Sequence, residues 1–310
     1  MSAIDSRKFS LVVLAFGTAA LLPFFDTGYW LSLGVSLAMY AVLATSWTLF
    51  SGPTHYISLA TAAFFGTGMY VVAGGVDFLP FPVLVLIAAL TGAVLATLVG
   101  LTTMRISGVY FVIFTLGLAE LIRQVVTWVQ TTFTSSSGLY VLTDITESMI
   151  YWELMSLLAL VYLVGWMINR SRLGLALRVI GNDETVAAHI GINTAKAKVM
   201  LFIISGTAAA VCGALLAPRW IYVEPTIAFS PMISFQVVVM ALLGGVHRLW
   251  GPLCGVIPFT LLWEVISAQF PNQTTLLLGV SFLLIVYFVP NGVAGLLENL
   301  SKQWRSKNGR

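Results

Sequence analysis

Residues 150–168 read IYWELMSLLALVYLVGWMI, residues 169–198 read NRSRLGLALRVIGNDETVAAHIGINTAKAK, and residues 198–217 read KVMLFIISGTAAAVCGALLA. Two apolar runs of membrane-spanning length flank one charged segment. That segment holds five of the fifteen Lys and Arg residues (Arg170, Arg172, Arg178, Lys196, Lys198) and the adjacent acids Asp183 and Glu184. The contrast decides the fold class: membrane helices joined by a loop that meets water. In a chain so poor in charge elsewhere, the loop is the place expected to meet a soluble partner.

Composition extends this to the whole chain. Of 310 residues, 59% are apolar and 9% charged, and the mean hydropathy is +0.96. A soluble domain carries about 25% charged residues, so most of this surface must face lipid. Apolar runs lie near 9–25, 30–50, 56–73, 79–101, 107–127, 150–168, 197–217, 231–246, 252–270 and 274–290. They do not alternate apolar with polar residues as barrel strands do. The expected fold is an all-α polytopic membrane protein of about ten transmembrane helices. The count is eight to ten if 56–73 and 231–246, which are short and rich in small residues, are re-entrant or broken; such backbone is tolerated only inside protein or along a cavity.

Ten crossings starting from the inside place Arg7, Lys8, Arg105, Arg170, Arg172, Arg178, Lys196, Lys198, Arg248, Lys302, Arg305, Lys307 and Arg310 on one side. By the positive-inside rule that side is cytoplasmic, with both termini there. Arg219 falls outside and Arg123 within a span; the outer loops carry Asp26, Asp77, Asp144, Glu147, Glu153 and Glu224. The run after Arg7 and Lys8 is too long for a signal peptide and lacks a cleavage pattern, so it reads as a retained helix. Residues 1–310 then form a single transmembrane domain, with a cytoplasmic segment at 169–198 and a periplasmic loop at about 128–149. That Ser/Thr-rich loop is a plain connection, or it closes over a pore or meets a periplasmic protein. The tail NLSKQWRSKNGR reads as a basic interfacial end.

Catalytic patterns are missing. No Lys follows a Gly, so there is no phosphate-cradling G-x-x-x-x-G-K-[ST]. His55, His189 and His247 have no Cys, Asp or Glu at metal-ligand spacing, and there is no G-x-S-x-G or H-E-x-x-H. Cys212 and Cys254 lie in spans and read as packed thiols. The net charge of +3 reflects the inner flanks and gives no reason to expect nucleic acid. A non-enzymatic transport or channel role with no cofactor in this chain is left.

Charges inside spans are costly and usually functional. Glu120 and Arg123, three apart, pair on one helix face. They are either a structural pair against another helix or a partner subunit, or a border of the solute path. Glu264 has no local partner, and a proton-coupled secondary transporter would use such a carboxylate. Ser58, Ala60, Ala62, Ala63, Gly66 and Gly68, and the Gly251/Gly255 pair, suit close helix packing.

Within the charged segment, Asn182 and Asp183 are helix N-caps with Glu184 favouring the positive helix end. Val186, Ala187 and Ile190 share a face, and Gly191 suits the position past the C-terminus. A helix so short needs a surface to dock on.

The stretches Ile57–Tyr70, Arg105–Arg123, Ser171–Ile192, Lys198–Ala217 and Val239–Gly255, in this order, resemble the LivM-type permeases of branched-chain amino acid ABC importers. The chain departs from that pattern in having Ala60-Thr61 where the family has Gly-His, and Gly244-Gly-Val-His-Arg-Leu where it has Gly-Gly-x-Gly-Ser. The resemblance implies alternating access with a homologous LivH-type permease. It also implies two cytoplasmic ATPase subunits that bind the ATP and Mg, a periplasmic solute-binding protein, and a bacterial inner-membrane location. Under it, 183–191 is the ATPase-coupling helix, carried by Asp183, Glu184, Ala187, Ala188 and Gly191, and Glu120, Arg123 and Glu264 are pore or interface candidates. The solute within the class of branched-chain amino acids, amides and related small molecules is not specified by these residues.

Overall fold

The computed structural model describes residues 22–25, 28–103, 106, 108–133, 136–246, 248–274, 276, 277, 279, 280 and 283. Most of the runs 9–25 and 274–290 lies outside the described residues. So do Arg7, Lys8, Asp26, Arg105, His247 and the basic tail.

The described chain is helical throughout, apart from one two-stranded ladder. After a one-turn helix at Leu22–Phe25, the helices in chain order are α1 (Tyr29–Thr54), α2 (Thr61–Gly75), α3 (Phe81–Thr103), α4 (Val109–Phe133), α5 (Glu147–Arg170), α6 (Arg172–Asn182), α7 (Glu184–His189), α8 (Thr194–Leu216), α9 (Pro225–Ala228), α10 (Pro231–Gly244) and α11 (Gly251–Gln269). Among the described residues, seven helical stretches are long and apolar enough to cross a membrane. One of the seven is the α9–α10 pair taken together. The chain is an all-α polytopic membrane protein.

Small residues set the packing. On α3 the buried positions are Leu84, Ala88, Gly92, Ala96, Val99, Gly100 and Thr103, a stripe at i+3 and i+4 spacing. Leu86, Leu90, Val94 and Leu98 on the same helix point outward and suit lipid. The stripe packs on α8, and α2 completes a three-helix unit. A methyl group at Gly68 of α2 would sit 1.8 Å from the Ala210 carbonyl oxygen, and one at Gly213 of α8 would sit 2.0 Å from that of Phe65. α2 and α8 meet backbone against backbone, the arrangement small residues permit in membranes, while Gly92 of α3 receives the Ala210 methyl. α1 is the most buried long helix and packs on α5, α8, α10 and α11.

By the positive-inside rule, the end rich in basic residues is taken as the inner one. Arg170, Arg172, Arg178, Lys196 and Arg248 mark the inner end. At the outer end β1 (Leu139–Tyr140) pairs antiparallel with β2 (Tyr222–Val223) in the register Leu139↔Val223. α4 continues to Phe133 and α5 begins at Glu147, so the outer connection is shorter than the expected 128–149. It is clamped by the ladder rather than hanging free. Arg219, the outer-side exception, is held by the Ser32 carbonyl (3.2 Å), Ser36 Oγ (3.2 Å) and Glu147 Oε1 (3.4 Å).

Candidate functional site

The two short runs are interrupted helices. α2 has 15 residues and α10 has 14, which at 1.5 Å per residue is roughly 20 Å, too short for a hydrocarbon core of about 30 Å. α1 ends at Thr54, where His55 takes a left-handed conformation (φ 59°). The chain then runs non-helically through Leu59 and is buried at Ser58, Leu59 and Ala60. Backbone groups freed in such a place must find protein partners. The Trp47 indole donates to the Ser58 carbonyl (2.7 Å), and the Leu59 N–H donates to Thr115 Oγ1 on α4 (3.0 Å). Ser234 of α10 donates to the Leu59 carbonyl (2.8 Å) and accepts from the Ala62 N–H (2.9 Å). One hydroxyl therefore joins the first turns of both short helices. Ala62 and Ala63 pack there on Ala119 of α4.

The charged segment folds as two helices. α6 was not expected: its buried residues Gly174, Leu177 and Ile180 recur every third position between exposed Arg172, Leu175 and Arg178, an amphipathic pattern diluted by arginines. Asn182 ends α6 instead of capping the next helix. Asp183 alone caps α7, accepting from Thr185 N–H (2.7 Å) and Val186 N–H (3.2 Å). The amides of Val186 and Thr185 hold its carboxyl below the ordinary value. Gly191 follows with φ +84°, a conformation side chains rarely adopt. On α7, Ala187 is buried while Val186, Ala188 and Ile190 are exposed. The face expected to hold Val186, Ala187 and Ile190 together is thus split: Ala187 anchors the helix and the other two point away from the protein.

Glu184 turns inward. Its Oε1 lies 2.5 Å from Lys198 Nζ, and Lys198 is 1% exposed. The same ammonium stands 4.1 Å from the ring centre of Tyr56 in the non-helical segment. Elsewhere, α1, α5, α6 and the turn after α10 line an open cavity of about 780 Å³ whose walls include Thr48, Gly52, Gly165, Asn169, Arg178 and Arg248. A smaller cavity of about 340 Å³ opens on the outer half, lined by Tyr40, Phe65, Met69, Trp220, Gln236 and Trp263. At its wall the Tyr40 hydroxyl donates to Gln236 Oε1 (2.5 Å).

Glu120 and Arg123 do pair on α4, through Arg123 Nε to Glu120 Oε2 (2.9 Å) and a second guanidinium contact, with Gln124 Nε2 donating to Glu120 Oε1 (2.9 Å). The side chains keep 27% (Arg123) and 44% (Glu120) of their exposure, and no described helix of this chain covers that face. Glu264 of α11 is distant from both. It accepts from the hydroxyl of Tyr29 (3.3 Å), the first residue of α1 at the outer end.

A family model described as the permease component of the branched-chain amino acid transport system matches residues 29–289, nearly the whole described chain. The chain belongs to this family. The permease is 25% identical to the high-affinity branched-chain amino acid transport system permease protein LivM of Escherichia coli K12, over 99% of this chain and 79% of LivM. LivM of Salmonella typhimurium LT2 is 24% identical over 100% of this chain and 79% of its own. LivH of Escherichia coli K12 is 30% identical over 132 residues, 42% of either chain, so the match spans less than half the length of LivH. No solved structure matches the permease.

Sequence reasoning counted Lys198 only as one more inner basic residue. The signal for its burial is the helix period: Lys198 shares a face with Leu201 and Phe202, both buried on α8. Ser234 and Thr115 carried no signal of their own, because their partners lie 175 and 56 residues away.

Proposed function

We propose that this permease is a transmembrane subunit of an ATP-binding cassette importer in a bacterial inner membrane, passing branched-chain or related small amino acids or amides inward. The observation that carries the reading is α7: a capped, six-residue helix at the basic end, held by Ala187 and Glu184, with Val186, Ala188 and Ile190 exposed. An apolar face on so short a helix outside the bundle calls for a docking partner, and cytoplasmic ATPase subunits supply one. ATP and Mg bind those subunits, and a periplasmic binding protein delivers solute. The α4 face bearing Glu120 and Arg123 meets a LivH-type second permease, because a charged pair midway along a span is costly against lipid. Ten crossings with both termini cytoplasmic complete this reading.

A secondary transporter built on Glu264 is less well supported, since that carboxylate sits near the outer end beside Tyr29. The test is uptake of a radiolabelled branched-chain amino acid into proteoliposomes. With second permease, ATPases and binding protein present, uptake should require ATP; with this chain alone it should not occur. ATP-independent uptake by the chain alone would sink the importer reading.

A further inference from the structure

A lysine at the inner membrane border ordinarily snorkels, with its stem on apolar surface and its ammonium in water. Lys198 does the opposite. It lies in the second turn of α8, near a helix start where a positive charge opposes the macrodipole, and it is 1% exposed. A buried ammonium persists only when paired. Its pairing joins two separate parts of the molecule: Glu184 at the start of α7 (2.5 Å) and the ring face of Tyr56 (4.1 Å). Tyr56 stands edge-on to Phe111 of α4 (5.1 Å), which neighbours Phe50 and Phe202 in the core. Three residues after Tyr56, Leu59 hangs from Thr115 and Ser234, and the Ser234 hydroxyl also joins the first turns of α2 and α10.

We propose that Lys198 is a positioning residue that carries displacement of α7 to the broken junction between α1 and α2. When a partner pulls α7, Glu184 draws the ammonium with it. The ammonium in turn moves or releases Tyr56, and with it the segment whose hydrogen bonds fix both interrupted helices. This rests on the importer reading for the identity of the pulling partner, while the link itself rests on the contacts alone. An ion pair on one side and a ring face on the other suit a link that must slide and re-form, since neither demands one donor–acceptor geometry as a carbonyl bond does.

Two measurements separate the link from the importer reading. In the full-length chain in lipid nanodiscs, hydrogen exchange of a peptide covering 55–62 should speed up severalfold in Lys198→Met, with α3 unchanged. It should also speed up in Tyr56→Leu but far less in Tyr56→Phe, which keeps the ring face. Unchanged exchange over 55–62 in Lys198→Met overturns the link, whatever the protein transports. In the reconstituted complete transporter, Lys198→Met should lower solute uptake per ATP hydrolysed by about tenfold, and Lys198→Arg should restore most of it. The exchanged pair Glu184→Lys with Lys198→Glu rebuilds the salt bridge but puts a carboxylate on the Tyr56 ring. It should recover thermal stability without recovering uptake per ATP. Full recovery of both, or loss of uptake and ATP hydrolysis in strict proportion for every variant, reduces Lys198 to a structural residue and overturns the proposal. Wild-type uptake without ATP would overturn the importer reading and leave the exchange result standing.

Discussion

Two ion pairs in this molecule have similar chemistry and opposite settings. Glu120–Arg123 is local, three residues apart on one helix, bidentate, and turned away from the protein. Glu184–Lys198 spans 14 residues and two helices, and its cation is wholly enclosed. The first is complete within its own helix and leaves its exposed side for something else to cover. The second has its outer partner on the short helix α7 and its inner contact on a non-helical segment. An exposed pair in a membrane face points to a neighbour, while a buried pair between separate elements points to a connection.

The contrast is broken most severely at Lys198. Lys198→Ala leaves Glu184 without its cation and opens a void beside Tyr56. The loss should fall near the low end of the roughly 3–5 kcal/mol seen when a buried pair is broken, because Glu184 keeps 45% of its side-chain exposure. Thermal unfolding in detergent reads this out, and a change under about 1 kcal/mol would mean that water already reaches the ammonium. Next is Ser234→Ala, which strands the Leu59 carbonyl and the Ala62 N–H in a buried place. A cost of about 2 kcal/mol is expected, with faster exchange confined to residues 59–62.

The same treatment of the α4 pair should do far less to the isolated chain. Glu120→Gln with Arg123→Gln should change its unfolding by roughly 0.5 kcal/mol or less, the scale of a local helix pair. Co-purification with the second permease should nonetheless drop severalfold. If the double variant destabilises the isolated chain as much as Lys198→Ala does, the two pairs are not different in kind. The smallest effect belongs to Asp183. Its depressed carboxyl means that the cap is fully formed above its ordinary value near 3.8 and is lost only as pH falls through the lower folded value. Amide exchange at 185 and 186 should therefore show no titration of the cap between pH 5 and 8, once corrected for the intrinsic rate. Asp183→Asn, another good cap, should slow exchange relative to Asp183→Ala.

Much of this architecture was legible in the chain. Long apolar runs without alternation have one solution in lipid, so the spans of α1, α3, α4, α5, α8 and α11 follow closely from sequence. The interruption before α2 was also foreshadowed, because 56–73 is short and small-residued. Its anchoring was hidden, since hydroxyls such as Ser234 and Thr115 look like any polar residue in a helix until a distant carbonyl meets them. Glu120–Arg123 could be read from spacing alone. Lys198 could not be read from sidedness, which says where a charge lies along the membrane normal and nothing of whether it faces inward. α6 was missed because arginines at 172 and 178 concealed a three-residue period of small and apolar positions.

The β1–β2 ladder, with Arg219 tied to Ser32, Ser36 and Glu147, sets where motion can begin. It fastens the connection between α4 and α5 to the connection between α8 and α9, and it binds the start of α1 to both. The opposite end holds the larger of the two cavities, between α1, α5, α6 and the turn after α10, with no ladder across it among the described residues. A frame pinned at one end and hollow at the other has its fulcrum built in: on the proposed function, a stroke at α7 would splay the inner end while the outer end stays latched.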